Sequence, residues 1–196
     1  MEIFSALRKI KMNIHYNSPV ILSFSLMAFA VMILSVITAG MSTSLLFTAW
    51  PSGFLNPLSY LRIFTHVLGH ASWEHLFGNL TLILLIGPLL EEKYGSITML
   101  IMILITALIT GVISVFFLNT GLLGASGIVF MLILLSSFAN IKSGHIPLTF
   151  IIIVILFLGK EFLASLKPDT ISQFAHIMGG ICGGMFGFLH ADEKKK

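Results

Sequence analysis

Six apolar runs, at roughly 19–40, 75–90, 97–117, 126–141, 146–166 and 173–190, take up most of this chain. A helix that crosses a bilayer needs about 20 apolar residues, with a range of about 17–25. Only a membrane or a large protein interior can bury runs of that kind. Composition decides between the two: 57% of the 196 residues are hydrophobic and 10% are charged. A soluble domain carries about 25% charged residues, so this chain has too few polar groups to cover a water-facing surface. The expected fold is an all-α polytopic membrane protein with six transmembrane helices. Its layout would be an N-terminal segment 1–18, a membrane domain 19–190 and a basic tail 191–196. The first run, Val20 to Thr38, exceeds the h-region of about 7–15 residues in a secretory signal and reads as a retained span. Cys182 is the single cysteine, so no disulfide can form within the chain.

The basic residues suggest an orientation. Six spans put both termini on one side. The segments on that side hold Arg8, Lys9, Lys11, Lys93, Lys142 and Lys194 to Lys196, eight in all, against Arg62, Lys160 and Lys167 on the other. Cytoplasmic loops carry the excess of Lys and Arg, so both termini are expected inside; six spans with little else suggest a bacterial cytoplasmic membrane. Basic tails beside apolar runs are topology signals, and no nucleic-acid partner is expected. The outer segment 41–74 mixes Trp50, Pro51, Phe54, Pro57 and Tyr60. It is neither polar nor helical in pattern and is expected to lie partly immersed, with Trp50 and Tyr60 at headgroup level.

Three polar residues share a spacing. Ser126 lies 16 residues before Lys142, His176 lies 16 before Asp192, and His75 lies 16 before Glu91. Spans two, four and six run the same way, from outside to inside. Sixteen helical residues rise about 24 Å against a hydrocarbon core of about 30 Å. The three therefore stand at one depth, a few ångströms below the outer surface, with Asn79 one turn deeper on the face of His75.

Ser126 belongs to the turn Gly124-Ala125-Ser126-Gly127 and would open the fourth span. A helix start offers free N–H groups and a partial positive charge, suited to an oxyanion. A histidine at the same depth can take the hydroxyl proton and return it to a leaving amine. By itself, such a turn also fits a capping or packing serine, and a buried histidine is often a satisfied packing residue. Intramembrane ionisable groups are nevertheless functional candidates. The glycines Gly179, Gly180, Gly183, Gly184 and Gly187 form a small-residue stripe beside His176, which would bring span six against span four. His75 and Asn79 are side-chain donors at the depth needed to complete an oxyanion hole. His66 and His70 have helical i, i+4 spacing, but a zinc-protease His-Glu-x-x-His order is absent. No metal or cofactor is expected. The methionines read as gap-fillers, Glu91-Glu92-Lys93 as an inner loop, and His15, His145 and His190 as residues near span ends without evident partners.

The run from Arg62 to Asn79, the Gly124-to-Gly127 turn, and Ala175-His176-Ile177-Met178-Gly179-Gly180-Ile181-Cys182-Gly183 together resemble the three signatures of rhomboid intramembrane serine proteases. The resemblance covers about 62–187. It implies a Ser126–His176 dyad with no third acid, and an oxyanion hole made by the Ser126 N–H with His75 and Asn79. It further implies that Arg62 and His70 support the first outer loop, that His66 is structural, and that Glu91 fixes the inner end of span two. Implied substrates are single-span membrane proteins entering laterally near span five. Departures are Leu61 before Arg62 where some relatives have Trp, Phe130 where Tyr is frequent, and Gln173 in place of a smaller residue. The rival reading is a catalytically inactive rhomboid-like protein that binds membrane clients.

Overall fold

The computed structural model describes residues 16–52, 55–138, 148, 151–152, 155–156 and 171–190. Within these residues the chain is all-helical apart from one isolated bridge, Ala49 with Leu122. The helices are α1 (Pro19–Ile37), α2 (Met41–Leu46), α3 (Pro57–Thr65), α4 (Trp73–Tyr94), α5 (Ser96–Phe117), α6 (Ser126–Phe138) and α7 (Ile171–Leu189), with a 3-10 turn at His66–Leu68. Three of them, α1, α4 and α5, are long and apolar enough to cross a membrane, and α6 and α7 are shorter apolar helices. The molecule is thus a multi-span helical membrane bundle. Of the fifth expected span, 146–166, only residues 148, 151–152 and 155–156 are described, all helical; the charges at Lys142, Lys160, Lys167 and Asp192, both basic ends, and His15 and His145 lie outside the described residues.

α6 sits at the centre. Gly127, Ile128, Val129, Met131, Leu132, Leu134, Leu135 and Ser137 are all buried, while Ser126, Phe130, Ile133 and Ser136 form one half-buried face. Ile21 and Phe24 from α1, Ile83 from α4, and Met99 and Met102 from α5 share one continuous core with α6. Met99, Met102 and Met131 are fully buried there, where an unbranched thioether fills irregular gaps.

α1 begins at Pro19 without a side-chain cap of its own. The carboxylate of Glu91 supplies one from α4, accepting from the Val20 N–H at 3.0 Å and the Ile21 N–H at 2.9 Å. A buried carboxylate is tolerated there because it meets the free donors and positive end of a helix. Glu91, Glu92 and Lys93 accordingly continue α4 instead of forming a loop, which corrects the expectation of a span ending near residue 90. All three residue types are adequate helix formers. The helix stops at Gly95, whose φ of 84° admits glycine and few other residues.

The segment between α1 and α4 also departs from expectation, because it contains two helices and a 3-10 turn. Pro57 starts α3 instead of breaking it, since a proline in the first turn has no helical hydrogen bond to lose. Asn56 caps that start by accepting from the Leu58 N–H at 3.0 Å. The segment folds onto the bundle at several places, two of them against α5. α3 lies so close to α5 that a Cβ at Gly111 would overlap the Ile63 carbonyl. The Ser114 hydroxyl donates to the Ala49 carbonyl at 2.9 Å. Trp50 and Tyr60 are both exposed.

Candidate active site

The turn that precedes α6 is irregular backbone inside an apolar bundle, so each of its polar groups needs a protein partner. The segment between α1 and α4 provides them. Ala49 and Leu122 exchange backbone hydrogen bonds, at 2.8 Å to the Leu122 carbonyl and 3.2 Å to the Ala49 carbonyl. The Gly124 N–H donates to the His66 carbonyl at 2.9 Å. The Ala125 N–H points at His70 Nε2 over 3.5 Å. Gly124 turns the chain with φ at 119°, a conformation that residues with a Cβ rarely adopt. Ser126 then opens α6 half-buried.

His75 and Asn79 stand one turn apart on α4 and converge on this turn. A Cβ added at Gly124 would lie 2.7 Å from His75 Cε1, 3.0 Å from its Nε2 and 3.9 Å from Asn79 Nδ2. The His75 ring therefore occupies the space a side chain at Gly124 would need, two residues before Ser126, with the Asn79 amide at its edge. Asn79 is buried and its Nδ2 lies 3.1 Å from His70 Nε2. The His70 and His75 rings meet edge-on with centroids 5.0 Å apart.

α7 brings His176 to the same level. α6 and α7 run parallel in the closest helix contact among the described residues, and the glycine stripe of α7 makes it possible. A Cβ at Gly179 would overlap the Gly127 carbonyl oxygen, and one at Gly183 would overlap that of Met131. Further along, Gly187 lies against the Phe138 ring. On the other side of the contact, a Cβ at Gly127 would come 3.2 Å from the Ala175 carbonyl oxygen. The residue after Ser126 thus meets the residue before His176. The His176 ring lies on Phe130, with centroids 4.3 Å apart and planes at 41°. Phe130 is four residues after Ser126, hence on the same face, and helical side chains lean toward the N-terminus.

The supporting residues lie around this centre. Arg62 is buried on α3, and its Nε donates to the Leu45 carbonyl at 2.8 Å, which satisfies a free acceptor at the end of α2. His66 Nδ1 donates to the Arg62 carbonyl at 3.1 Å, and its Nε2 faces the Thr110 hydroxyl at 3.2 Å. Burial pushes His66 down to a pKa of about 4. Burial, then the neighbouring His75, does the same to His70, also to about 4. Both rings are therefore neutral at physiological pH. Their nitrogens are engaged with protein groups, so the i, i+4 pair is built into the loop scaffold.

Two features escaped the sequence reading. Thr106, Thr110 and Ser114 form a buried polar line at i, i+4, i+8 on α5. Thr110 meets His66 and Ser114 meets Ala49, so this line anchors the loop. That spacing in an otherwise apolar span was the available signal. His190 does have partners: its Nδ1 lies 2.9 Å from the Phe186 carbonyl and its ring meets Tyr94 edge-on at 5.7 Å.

Fold and site together define a class, a polytopic helical membrane protein with a serine at a helix start and a histidine on the adjoining glycine-faced helix. Residues 57–193 match the Rhomboid domain family. The chain is also 27% identical over 138 residues to the "Rhomboid protease GlpG" of Haemophilus influenzae, a match covering 68% of this chain and 71% of that protein. The chain belongs to the rhomboid family.

Proposed function

We propose that this protein is an intramembrane serine endopeptidase whose nucleophile is Ser126 and whose general base is His176. Membership of the rhomboid family and the likeness to a named rhomboid protease support the protease role. The observation that carries the assignment to these residues is the contact of α6 with α7, with Gly179 against Gly127 and the His176 ring on Phe130. In this mechanism Ser126 Oγ attacks a substrate carbonyl while His176 accepts its proton. The oxyanion is met by the Ser126 N–H at the start of α6 and by His75 and Asn79. His176 returns the proton to the leaving amine, and water hydrolyses the acyl-enzyme. No acid behind the histidine and no metal is required.

The substrates we assign are transmembrane segments of other membrane proteins, cleaved near the outer face of a membrane in which both termini of this chain are cytoplasmic. Recessed placement of Ser126 lets water reach the acyl-enzyme from that face. The test is covalent labelling with a fluorophosphonate probe in detergent. Labelling of wild type that disappears in Ser126→Ala and falls at least a hundredfold in His176→Ala supports the dyad. Equal absence of labelling in all three proteins, with clients still captured, would establish the non-catalytic client-binding alternative.

A further inference from the structure

Asn79 can serve an oxyanion only if its carboxamide presents nitrogen, because the oxygen end of the same group would repel the developing charge. Nothing in the shape of an asparagine chooses between the two ends. His70 supplies the choice. Its Nδ1 lies 3.2 Å from the Leu68 carbonyl, which can only accept, so Nδ1 carries the proton. In a neutral imidazole Nε2 is then an acceptor. The Ala125 N–H, which can only donate, points at that same Nε2 from 3.5 Å and demands the same tautomer. The group facing Nε2 at 3.1 Å must therefore be the Asn79 amide nitrogen and not its oxygen.

We propose that His70 is a positioning residue that fixes the Asn79 carboxamide, leaving its second N–H free for the oxyanion beside Gly124. The Ala125 N–H faces the same nitrogen from 3.5 Å, beyond the ordinary reach of an N–H donor, and bears on the tautomer of the ring and not on the hold of the turn. The titratable group facing His70 is His75, through the edge-on ring contact. A neutral His70, kept so by burial, is what the arrangement needs, since a protonated Nε2 would compete with the amide as a donor. This role rests on the protease reading for its catalytic consequence, while the tautomer and amide orientation do not.

Two measurements test it. The first is a double-mutant cycle on cleavage of a transmembrane reporter, with His70→Leu, Asn79→Ala and both together. Loss of an oxyanion donor lowers kcat about a hundredfold or more. We expect each single change to lower kcat by a similar factor with KM little altered, and the double variant to be no slower than Asn79→Ala. Multiplying losses would overturn the proposal, since they would mean that His70 acts on stability or the loop independently of Asn79. The second uses the unmodified protein: nitrogen-15 spectra of the histidine rings in lipid should show His70 protonated on Nδ1 and bare on Nε2 at neutral pH. The opposite tautomer refutes the proposal whether or not the protein proves to be a protease. Conversely, absence of any cleavage that depends on Ser126 counts against the protease reading, and the spectrum still decides the role of His70.

Discussion

Gly124 and Glu91 show how much single residues carry in this bundle. At Gly124 the backbone conformation, the close approach of His75 and the entry into α6 coincide. An alanine there meets an unfavourable φ, at about 1–3 kcal/mol, and drives its Cβ into the His75 ring. Gly124→Ala should therefore retain its helix content by circular dichroism while losing at least tenfold in fluorophosphonate labelling. Unchanged labelling would separate His75 from the oxyanion. Glu91 acts far from that turn. Removing its carboxylate leaves the Val20 and Ile21 N–H groups without an acceptor at the start of α1. Each unsatisfied buried group costs on the order of 1–3 kcal/mol. Glu91→Ala should lower the thermal midpoint in detergent clearly, with Glu91→Gln closer to wild type because the amide oxygen still accepts.

At the level of helices, the α6–α7 pair is the element whose geometry matters most. Gly179 and Gly183 have no room for any side chain, because backbone carbonyls of α6 occupy the space. Gly179→Ala should push the helices apart and move His176 off the Ser126 turn. Activity should then fall more steeply than stability, measured as labelling rate against thermal midpoint on the same samples. The stretch from α3 to the start of α4 carries a different signature, a dependence on pH. His66 and His70 titrate near 4 when folded, below the ordinary value of 6.5. The unfolded chain thus binds more protons between those values. The stabilisation is complete above about 6.5 and is lost as pH falls through about 4, so the thermal midpoint should drop across that window. His70→Leu should flatten part of the drop.

These elements also show what could be read from sequence and what could not. Mean hydropathy of 2.7 made α1 and α5 unmistakable, and the glycine stripe announced the contact of α7. The small helices α2 and α3 were hidden because proline and aromatics mask helical periodicity in a short segment. Pro57 reads as a breaker until its place in the first turn is known. The end of α4 was misjudged because Glu91 looks like a solvent-facing charge, and only the start of α1, 70 residues away in sequence, gives it a buried partner. The orientation of Asn79 could not be read at all, since it depends on contacts between His70, Leu68 and Ala125.

For the molecule as a whole, the proposal links orientation in the membrane to activity, because it assigns the cut to the outer face. Cys182 is the single cysteine and is buried in the core, so it gives little background to thiol labelling. A Lys196→Cys variant in intact cells should resist a membrane-impermeant maleimide until the membrane is permeabilised. Labelling from outside would invert the assigned topology. The central claim is that Ser126 cleaves other membrane proteins within the bilayer. It is tested most directly by reconstituting the purified protein in liposomes with a tagged single-span reporter and following fragment release by mass spectrometry. Wild type should yield a discrete cut near the outer end of the reporter span, absent with Ser126→Ala and His176→Ala. The same fragment from Ser126→Ala would contradict the account.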